Sequence, residues 1–184
     1  MDIVVIRMGH RVPRDERMTT HIALVSRIFG VKEVIYSGMK DDGFERSIER
    51  ICKQWGGNVD IKYVKNIKRF IEFLANEQGN VIVHLTMYGE RIENIIEEIK
   101  EVAWEKRIFI IIGSEKVPSW VYNISTYNVG VTNQPHSEIA ALTLFLDRLI
   151  NGKELNVEFE REITKGAKVR VIPKKRGKKI ERIN

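Results

Sequence analysis

Three polar loops, each directly after an apolar, strand-like run, hold most of the side chains that could bind a small molecule. They read "HLTMYGE" after the run from Val81, "GSEKVP" after the run from Ile108 and "TNQPHSE" after the run from Tyr127. Each offers a small residue or a glycine, which lets a ligand approach the backbone, together with several hydrogen-bonding groups. One such loop is ordinary turn chemistry. Because ligands bind at the carboxyl ends of parallel strands, three in succession predict a shared small-molecule site.

A second polar concentration, "RMGHRVPRDERMTTH" (7–21), follows the first strand-like run. It carries four arginines, Arg7, Arg11, Arg14 and Arg17. Planar guanidinium groups suit a phosphate or a developing alkoxide, so the segment is a candidate for substrate binding or catalysis. The alternative is an arginine-rich loop whose charges pair with its own acids, Asp15 and Glu16.

Several common chemistries lack their motifs in this chain. The dinucleotide pattern G-x-G-x-x-G and the P-loop G-x-x-x-x-G-K-[ST] are missing, which disfavours conventional sites for NAD and nucleoside triphosphates. The G-x-S-x-G elbow of serine hydrolases is also missing. No CxxC, HExxH or paired-Asp pattern indicates a metal, and the scattered histidines are interpreted as satisfied loop or core residues: His10, His21, His84 and His136. We therefore expect no metal.

Strand-like and amphipathic runs alternate through six strand-to-helix steps, which predicts an α/β domain with a mainly parallel sheet. The first run, "DIVVIRM", is almost continuously apolar, as in strands covered by helices on both faces of the sheet. The 184 residues suit a single domain, 1–184. No run approaches the ~20 apolar residues of a membrane span. The single cysteine, Cys52, favours a reducing compartment, and we expect the cytoplasm.

The positive charge is concentrated at the C-terminus. Residues 161–184 hold ten Lys/Arg against two Glu, whereas the rest of the chain holds 21 Lys/Arg against 23 acids. "NVEFEREI", "AKVRVIP" and "KKIERI" alternate polar and apolar residues around glycine-bearing turns, so 155–184 is predicted as a basic β-hairpin extension. Clustered positive charge favours a phosphate backbone as partner, the alternative being a solvated tail.

The motifs together resemble the SPOUT superfamily of RNA methyltransferases. "IIIGSEKVP" is similar to its second motif and "VGVTNQPHSEIAALTLFLDRL" to its third. More narrowly, "RMGHRVPRDERMTTHIALVSRIFG", "HLTMYG", "GSEKVP" and "NQPHSEIAALTLFLDRL", in this order, resemble the archaeal tRNA (cytidine-56) 2′-O-methyltransferase family. The similarity spans nearly the whole chain and includes the basic terminal hairpin.

The resemblance implies a C-terminal trefoil knot, in which the last strand–helix segment threads through an earlier loop, and S-adenosylmethionine bound by the three knot loops. It implies methylation of a ribose 2′-hydroxyl in tRNA, at cytidine 56 of the T-loop. The implied cofactor contacts are Leu85, Thr86 and Gly89 in the first loop; Gly113, Ser114, Glu115, Lys116 and Val117 in the second; and Val131, Thr132, Asn133, Gln134, Pro135, His136, Ser137 and Glu138 in the third.

The resemblance also implies a homodimer, in which the arginine-rich loop of one subunit approaches the cofactor of the other. The superfamily places an arginine about six residues before the glycine equivalent to Gly30, where this chain has Leu24. The catalytic candidates are therefore Arg17 or Arg14, with His21 as an assistant. The implied phosphate contacts are Arg11, Lys168, Arg170, Lys174, Lys175 and Arg176.

Two alternatives come from other classes of protein. A non-catalytic RNA-binding module would use the basic tail but has no need of three ligand loops. A nucleotide-using enzyme of the Rossmann kind would explain the loops but not the tail.

Overall fold

The computed structural model describes residues 1–113 and 116–183. Six parallel strands form one sheet in the order β3-β2-β1-β5-β4-β6. These strands are β1 (Asp2–His10), β2 (Glu33–Gly38), β3 (Asp60–Tyr63), β4 (Asn80–Arg91), β5 (Arg107–Ile112) and β6 (Tyr127–Gly130). The helices between and after them are α1 (Glu16–Ile28), α2 (Asp42–Trp55), α3 (Ile67–Asn76), α4 (Ile92–Glu105), α5 (Ser119–Ile124) and α6 (Glu138–Ile150). The predicted α/β class and mainly parallel sheet are confirmed.

Helices cover both faces of the sheet because its central strands are apolar on both sides. In β1, Ile3 and Val5 join a core cluster that includes buried residues of α1, α2, α4 and α6. Val4 and Ile6 point to the opposite side, into a second cluster with α3 and α5. Side chains alternate across a strand, so the near-continuous apolar run of β1 fills both clusters.

Strand β4 extends further than its sequence pattern predicts. The polar loop "HLTMYGE" is predicted to follow the strand from Val81, but β4 continues through it to Arg91. Its pairing with β6 is irregular, since both Leu85 and Glu90 lie opposite Val129. The residues between them are not paired with β6 and form a bulge at the carboxyl edge of the sheet. The first polar loop is therefore part of an interrupted strand.

The predicted strand "NVEFEREI" is wrong: Val157–Ile163 forms a helix, α7. Asn156 caps this helix, its side chain accepting a hydrogen bond from the Glu158 N–H at 2.7 Å. Phe159 and Ile163 lie four positions apart, on one face of the helix, and pack near Gly30. After α7, β7 (Val169–Val171) and β8 (Ile180–Arg182) pair antiparallel. Within the described residues of 155–184, only β7 and β8 form strands.

The C-terminal tail docks on the ends of α1 and α2. The Gly57 N–H donates to the Lys165 carbonyl at 3.1 Å, and the Lys168 N–H donates to the Gln54 carbonyl at 3.0 Å. A Cβ at Gly56, where φ is +73°, would lie 2.0 Å from the Thr164 carbonyl oxygen. Helices that follow parallel strands end at the amino edge of the sheet. The tail therefore lies at the edge opposite the three polar loops.

We expect Gly56→Ala to weaken docking of the tail by about 2 kcal/mol, since alanine is strained at this backbone conformation and its Cβ meets tail backbone. Limited trypsin digestion should release tail peptides faster while the sheet stays protected. Gly79→Ala is the matched control, because a Cβ there meets no atom within 4 Å. Equal digestion of both variants would contradict the expectation.

Candidate functional site

The three polar loops meet at the carboxyl edge of the sheet around a cavity of about 290 Å³. This volume is at the lower end of the range for small-molecule sites. The first loop and β4 contribute His84, Leu85, Thr86, Met87 and Tyr88, and the second loop region contributes Ile112, Gly113, Val117 and Tyr122. The third loop and α6 contribute Pro135, His136, Glu138 and Ala141. The described part of all three loops thus shares one cavity.

Seven residues predicted to contact the cofactor line this cavity: Leu85, Thr86, Gly113, Val117, Pro135, His136 and Glu138. Others occupy the same loops without lining it: Gly89, Lys116, Val131, Thr132, Asn133, Gln134 and Ser137. Ser114 and Glu115 lie outside the described residues. Ser137 is at the N-cap of α6, but its side chain makes no capping hydrogen bond.

Hydrogen bonds from Asn133 hold the third loop against the first. Its side-chain amide donates to the carbonyls of Met87, at 2.8 Å, and Gly89, at 3.1 Å. Gly89 itself lies against β6, where an added Cβ would be 2.4 Å from the Asn128 carbonyl carbon. The absence of a side chain at Gly89 therefore permits the approach of the first loop to β6. The amide of Asn133 then fixes the third loop over that contact.

His84 lines the cavity, although its sequence context predicted a histidine whose hydrogen-bonding groups are all satisfied. Its ring is fully buried, and Nδ1 lies 2.9 Å from Asn128 Oδ1, which makes Nδ1 the protonated nitrogen. Nε2 has no hydrogen-bond partner among the described residues. Burial lowers the pKa of His84, and the hydrogen bond to Asn128 opposes this effect. His84 therefore presents an unsatisfied neutral acceptor in a residue that lines the cavity.

Two tyrosines also line the cavity and were not identified from the sequence. The Tyr122 ring lies edge-on to His84, with 4.7 Å between ring centroids, and Tyr88 lies 6.5 Å from Tyr122. Tyr88 is 75% exposed although it is a large aromatic residue. Tyr122 lies in α5. The sequence indicated it only as an aromatic residue near the second loop.

An ion pair joins the cavity wall to the central strand. Arg7 Nη1 lies 2.7 Å from Glu138 Oε2, and the Arg7 side chain is only 1% exposed. Arg7 Nε and Nη1 and Glu138 Oε2 have no hydrogen-bond partner among the described residues, so charge rather than a set of aligned hydrogen bonds holds the pair. Burial lowers the pKa of Arg7 and raises the pKa of Glu138, while the attraction between them opposes both effects.

The arginine-rich segment is organised around buried Asp15. The Asp15 carboxylate accepts from the Arg11 backbone N–H at 3.1 Å and from Arg11 Nε at 3.4 Å. Arg14 Nε lies 4.0 Å from the other Asp15 oxygen. The alternative prediction, a loop whose arginines pair with its own acids, therefore applies to Arg11 and Arg14, which contact Asp15. Arg7 differs because it is buried in β1 and pairs with the cavity wall.

Buried His10 attaches this segment to its neighbours. His10 Nδ1 lies 2.8 Å from Thr19 Oγ1, and Nε2 lies 3.3 Å from Asp41 Oδ2. Thr19 belongs to α1 and Asp41 precedes α2, so the imidazole joins the starts of two helices. These contacts position the segment that carries the catalytic candidates.

The catalytic candidates Arg14, Arg17 and His21 are exposed and do not line the cavity of their own chain. The charge of Arg14 nevertheless opposes the effect of burial on the pKa of Glu138, which lines the cavity. Arg17 lies in the first turn of α1, and His21 lies one turn later.

A larger cavity, about 860 Å³, lies elsewhere, in a groove between α4 and α6. Val131 lines this groove rather than the cavity of the three loops. Its lining comes almost entirely from the two helices, without the strand-end loops. We favour the smaller cavity because it gathers loop backbone, a buried unsatisfied acceptor and an ion pair at the edge where parallel sheets bind ligands.

The predicted RNA contacts form a separate basic surface at the amino edge of the sheet. Its five residues in the tail are exposed: Lys168, Arg170, Lys174, Lys175 and Arg176. Arg170 pairs with Glu181 at 3.1 Å across β7 and β8. Arg11 is different, because it is half-buried and lies beside Asp15 just after the carboxyl end of β1.

Within residues 1–113 and 116–183, no group of three or more His, Cys, Asp or Glu side chains is arranged to hold a metal ion. In the same ranges, no helix has the length and apolar character to cross a membrane.

Comparison with known proteins identifies a family. Residues 55–181 match the family model described as tRNA ribose 2′-O-methyltransferase, aTrm56. A tRNA (cytidine(56)-2′-O)-methyltransferase from Methanopyrus kandleri is 46% identical over 180 residues, which cover 98% of this chain and 96% of that protein. The protein of the same name from Methanocaldococcus jannaschii is 43% identical over 183 residues, covering 99% of this chain and 97% of that one.

Solved structures with low sequence identity share the fold. The A. aeolicus TrmH/SpoU tRNA modifying enzyme matches with a TM-score of 0.61 at 17% identity, over 89% of this chain and 86% of that one. The SpoU methyltransferase AviRb from Streptomyces viridochromogenes, solved in complex with the cofactor AdoMet, matches with a TM-score of 0.56 at 12% identity. That match covers 82% of this chain and 57% of AviRb.

Proposed function

We infer that this chain, which belongs to the aTrm56 family of tRNA ribose 2′-O-methyltransferases, methylates the 2′-hydroxyl of cytidine 56 in tRNA with S-adenosylmethionine as donor. Relatives at 43–46% identity that bear this activity in their names, over nearly the full length of both chains, support the substrate. The observation that carries the assignment is the meeting of three strand-end loops in one cavity at the carboxyl edge of the sheet.

The residues at the cavity fit the donor. The absence of a side chain at Gly113 lets Val117 pack against it in the cavity wall, since a Cβ there would lie 2.1 Å from Val117 Cγ2. His84 Nε2 is a buried acceptor in need of a donor N–H or O–H, and Glu138 is an anionic group for a cationic ligand. We assign His84, Leu85, Thr86, Gly113, Val117 and His136 to donor binding, together with Glu138. AviRb, which shares the fold and was solved in complex with AdoMet, supports the same ligand.

When bound, S-adenosylmethionine supplies an activated methyl group, whose transfer leaves the C–S electron pair on sulfur as a neutral thioether. The chain must hold the ribose hydroxyl in line with that methyl group, at about 3–3.5 Å, and manage the proton that the hydroxyl loses. An arginine near the cavity, Arg14 or Arg17, would stabilise negative charge as it develops on the 2′-oxygen. His21 would assist proton removal.

The same proposal includes the trefoil knot. It is supported by the bulge in β4, by the hydrogen bonds of Asn133 to the Met87 and Gly89 carbonyls, and by the link from Glu138 to β1. These contacts hold the segment from β6 to α6 against the first loop, where threading requires it.

The basic tail would hold tRNA phosphates at a distance from the reacting ribose. Helix α1 has 13 residues and is therefore about 20 Å long, which sets the scale of separation between the cavity edge and the tail edge. A folded RNA can bridge that distance, whereas a free nucleotide cannot. Phosphate contacts of this kind position a substrate without reading its bases.

A homodimer and a cytoplasmic location complete the proposal. A second subunit would bring another arginine-rich loop to the cavity, which none of the three catalytic candidates of its own chain lines. Helix α6 buries most of its apolar residues in its own core but leaves Leu144 45% exposed. Light scattering in solution gives the mass that checks the dimer. The cytoplasm is where a tRNA substrate and a single free cysteine are expected.

A methylation assay on unmodified tRNA transcripts tests the function. With S-adenosylmethionine, mass spectrometry of nuclease fragments should locate a single methyl group on the ribose of cytidine 56. A transcript with 2′-deoxyribose at that position should give no product. Methylation of a base, or of another ribose, would contradict the proposal.

The second candidate function is the non-catalytic RNA-binding module, which the exposed basic tail favours. Isothermal titration with S-adenosylmethionine separates the two functions, because a pure RNA binder produces no heat of binding with the donor.

Removing three tail charges is expected to weaken tRNA binding and its dependence on salt. Lys174→Ala/Lys175→Ala/Arg176→Ala should reduce the magnitude of the slope of log K against log salt by about 2. The reason is that each phosphate contact releases counterions when it forms, and the variant forms fewer contacts. Filter binding at several salt concentrations measures this slope. The control removes three exposed cations at and before the start of α3, Lys65, Lys68 and Arg69, and should leave the slope unchanged. Equal effects of the two triple variants would contradict a specific role for the tail.

A further inference from the structure

Glu138 has a place in the cavity that no other described lining residue shares. It is the one carboxylate among the described residues that line the cavity. Its side chain is 27% exposed, so one side remains accessible while the other lies against Arg7. A carboxylate at this depth interacts with a ligand charge more strongly than it would in bulk water, because the surroundings screen less.

The ion pair with Arg7 favours the charged form of this carboxylate against the effect of burial. Burial alone raises the pKa of Glu138 and favours the neutral acid, and the charge of Arg7 is the largest effect in the other direction. Arg14 acts in the same sense as Arg7, whereas Asp15 opposes both. The 2.7 Å ion pair with buried Arg7 thus places a negative charge at the cavity wall.

The reaction removes one positive charge from the ligand in this cavity. The donor has a sulfonium, and the product S-adenosylhomocysteine has a neutral thioether in the same place, while the rest of the two molecules is identical. A ligand-binding residue can distinguish them by this charge or by contact with the methyl group, and a carboxylate does so by the charge. A wall that responds to neither would bind both about equally, and the product would then compete with the donor.

On the basis of the proposed function, we propose that Glu138, held by Arg7, is the residue through which the protein binds the cationic methyl donor more tightly than the neutral product. Loss of the sulfonium charge on transfer removes the attraction to Glu138, which favours release of the product. Glu138 is thus a specificity-determining residue for the charge of the ligand.

Isothermal titration with three ligands tests this inference. The probes are S-adenosylmethionine, S-adenosylhomocysteine and sinefungin, in which a protonated amine replaces the sulfonium. In Glu138→Gln, the Kd values of S-adenosylmethionine and sinefungin should rise about fivefold, the size of one partly screened ion pair, while that of S-adenosylhomocysteine stays unchanged. Glu101→Gln, an exposed carboxylate on α4, is the matched control and should change none of the three.

A second variant distinguishes the loss of the Glu138 charge from a folding defect. Arg7→Met/Glu138→Gln removes both charges, avoids an unpaired buried arginine, and should show the same selective loss for the two cationic ligands. Equal changes for all three ligands, or no change, in a variant with wild-type circular dichroism would overturn the inference and leave the proposed function intact. A wild-type protein that binds none of the three ligands would overturn both.

Discussion

Arg7→Met is expected to lower the free energy of unfolding by about 3 kcal/mol, at the lower end of the range for breaking a buried ion pair. The guanidinium of Arg7 lies 2.7 Å from Glu138 Oε2. Because the Glu138 side chain is only 27% exposed, water only partly replaces Arg7 as the partner of the carboxylate in the variant. Methionine is similar in length and apolar, which limits the cavity left behind. Guanidinium chloride denaturation followed by circular dichroism measures the change.

The double variant Arg7→Met/Glu138→Gln separates charge from packing. It removes both charges, and replacing a buried pair by uncharged groups is often neutral. We therefore expect it to recover more than half of the stability that Arg7→Met loses. A double variant as unstable as the single one would show that packing of the Arg7 side chain, rather than the stranded carboxylate, causes the loss.

The instability of Arg7→Met should also depend on pH. Burial already raises the pKa of Glu138, and without Arg7 that pKa rises further. A carboxyl whose pKa is higher in the folded than in the unfolded state binds more protons when folded, so stability falls as pH rises through the interval between the two values. The deficit should therefore shrink as pH is lowered from about 8 to about 5. A deficit that does not vary over this range would exclude the charge of Glu138 as its cause.

The meeting of the three loops could be predicted because it depends on regular features of the chain. Apolar runs from Val81, Ile108 and Tyr127 alternate with amphipathic helices, and the carboxyl ends of parallel strands share one edge of a sheet. No knowledge of side-chain contacts was needed to bring Leu85, Gly113 and Pro135 into one place.

The helix α7 could not be predicted in this way, because its pattern fits two periods. Phe159 and Ile163 are four residues apart, a spacing that puts them on one face of a strand and also on one face of a helix. The cap from Asn156 and the contact with Gly30, which is remote in sequence, decide in favour of the helix.

The chemistry of the cavity wall depends on similarly remote partners. Arg7 was grouped with the other arginines of its segment, but its β1 position buries it against Glu138. His84 was interpreted as a satisfied histidine, and this holds for Nδ1, which pairs with Asn128, but not for Nε2. Neither the burial of Arg7 nor the unpaired Nε2 of His84 can be predicted from residue type and local spacing. Both depend on the packing of β4 beside β6 and of α6 against β1.

The largest effect on activity is expected for Arg14→Ala, at about 100- to 1000-fold in kcat, the usual cost of removing one group that stabilises a developing oxyanion. We favour Arg14 over Arg17 because Arg14 is exposed in the turn before α1, with its Nε 4.0 Å from Asp15 Oδ1, whereas Arg17 lies within the first turn of the helix. Arg17→Ala is expected to lose less than about tenfold, as for a phosphate contact at the edge of the site. Single-turnover methylation with saturating tRNA measures the chemical step separately from binding.

Two further measurements distinguish stabilisation of the alkoxide from a structural role. The Kd of S-adenosylmethionine should stay within about twofold of wild type in Arg14→Ala, since the arginine acts on the ribose oxygen and not on the donor. Arg50→Ala, an exposed arginine on α2, should retain full activity as the matched control. A large loss in Arg17→Ala with little change in Arg14→Ala would reverse the assignment, and would indicate that the acting arginine enters from the first turn of α1. Parallel loss of donor affinity and rate in Arg14→Ala would instead indicate that Arg14 maintains the cavity through Asp15 and does not act on the reacting oxygen.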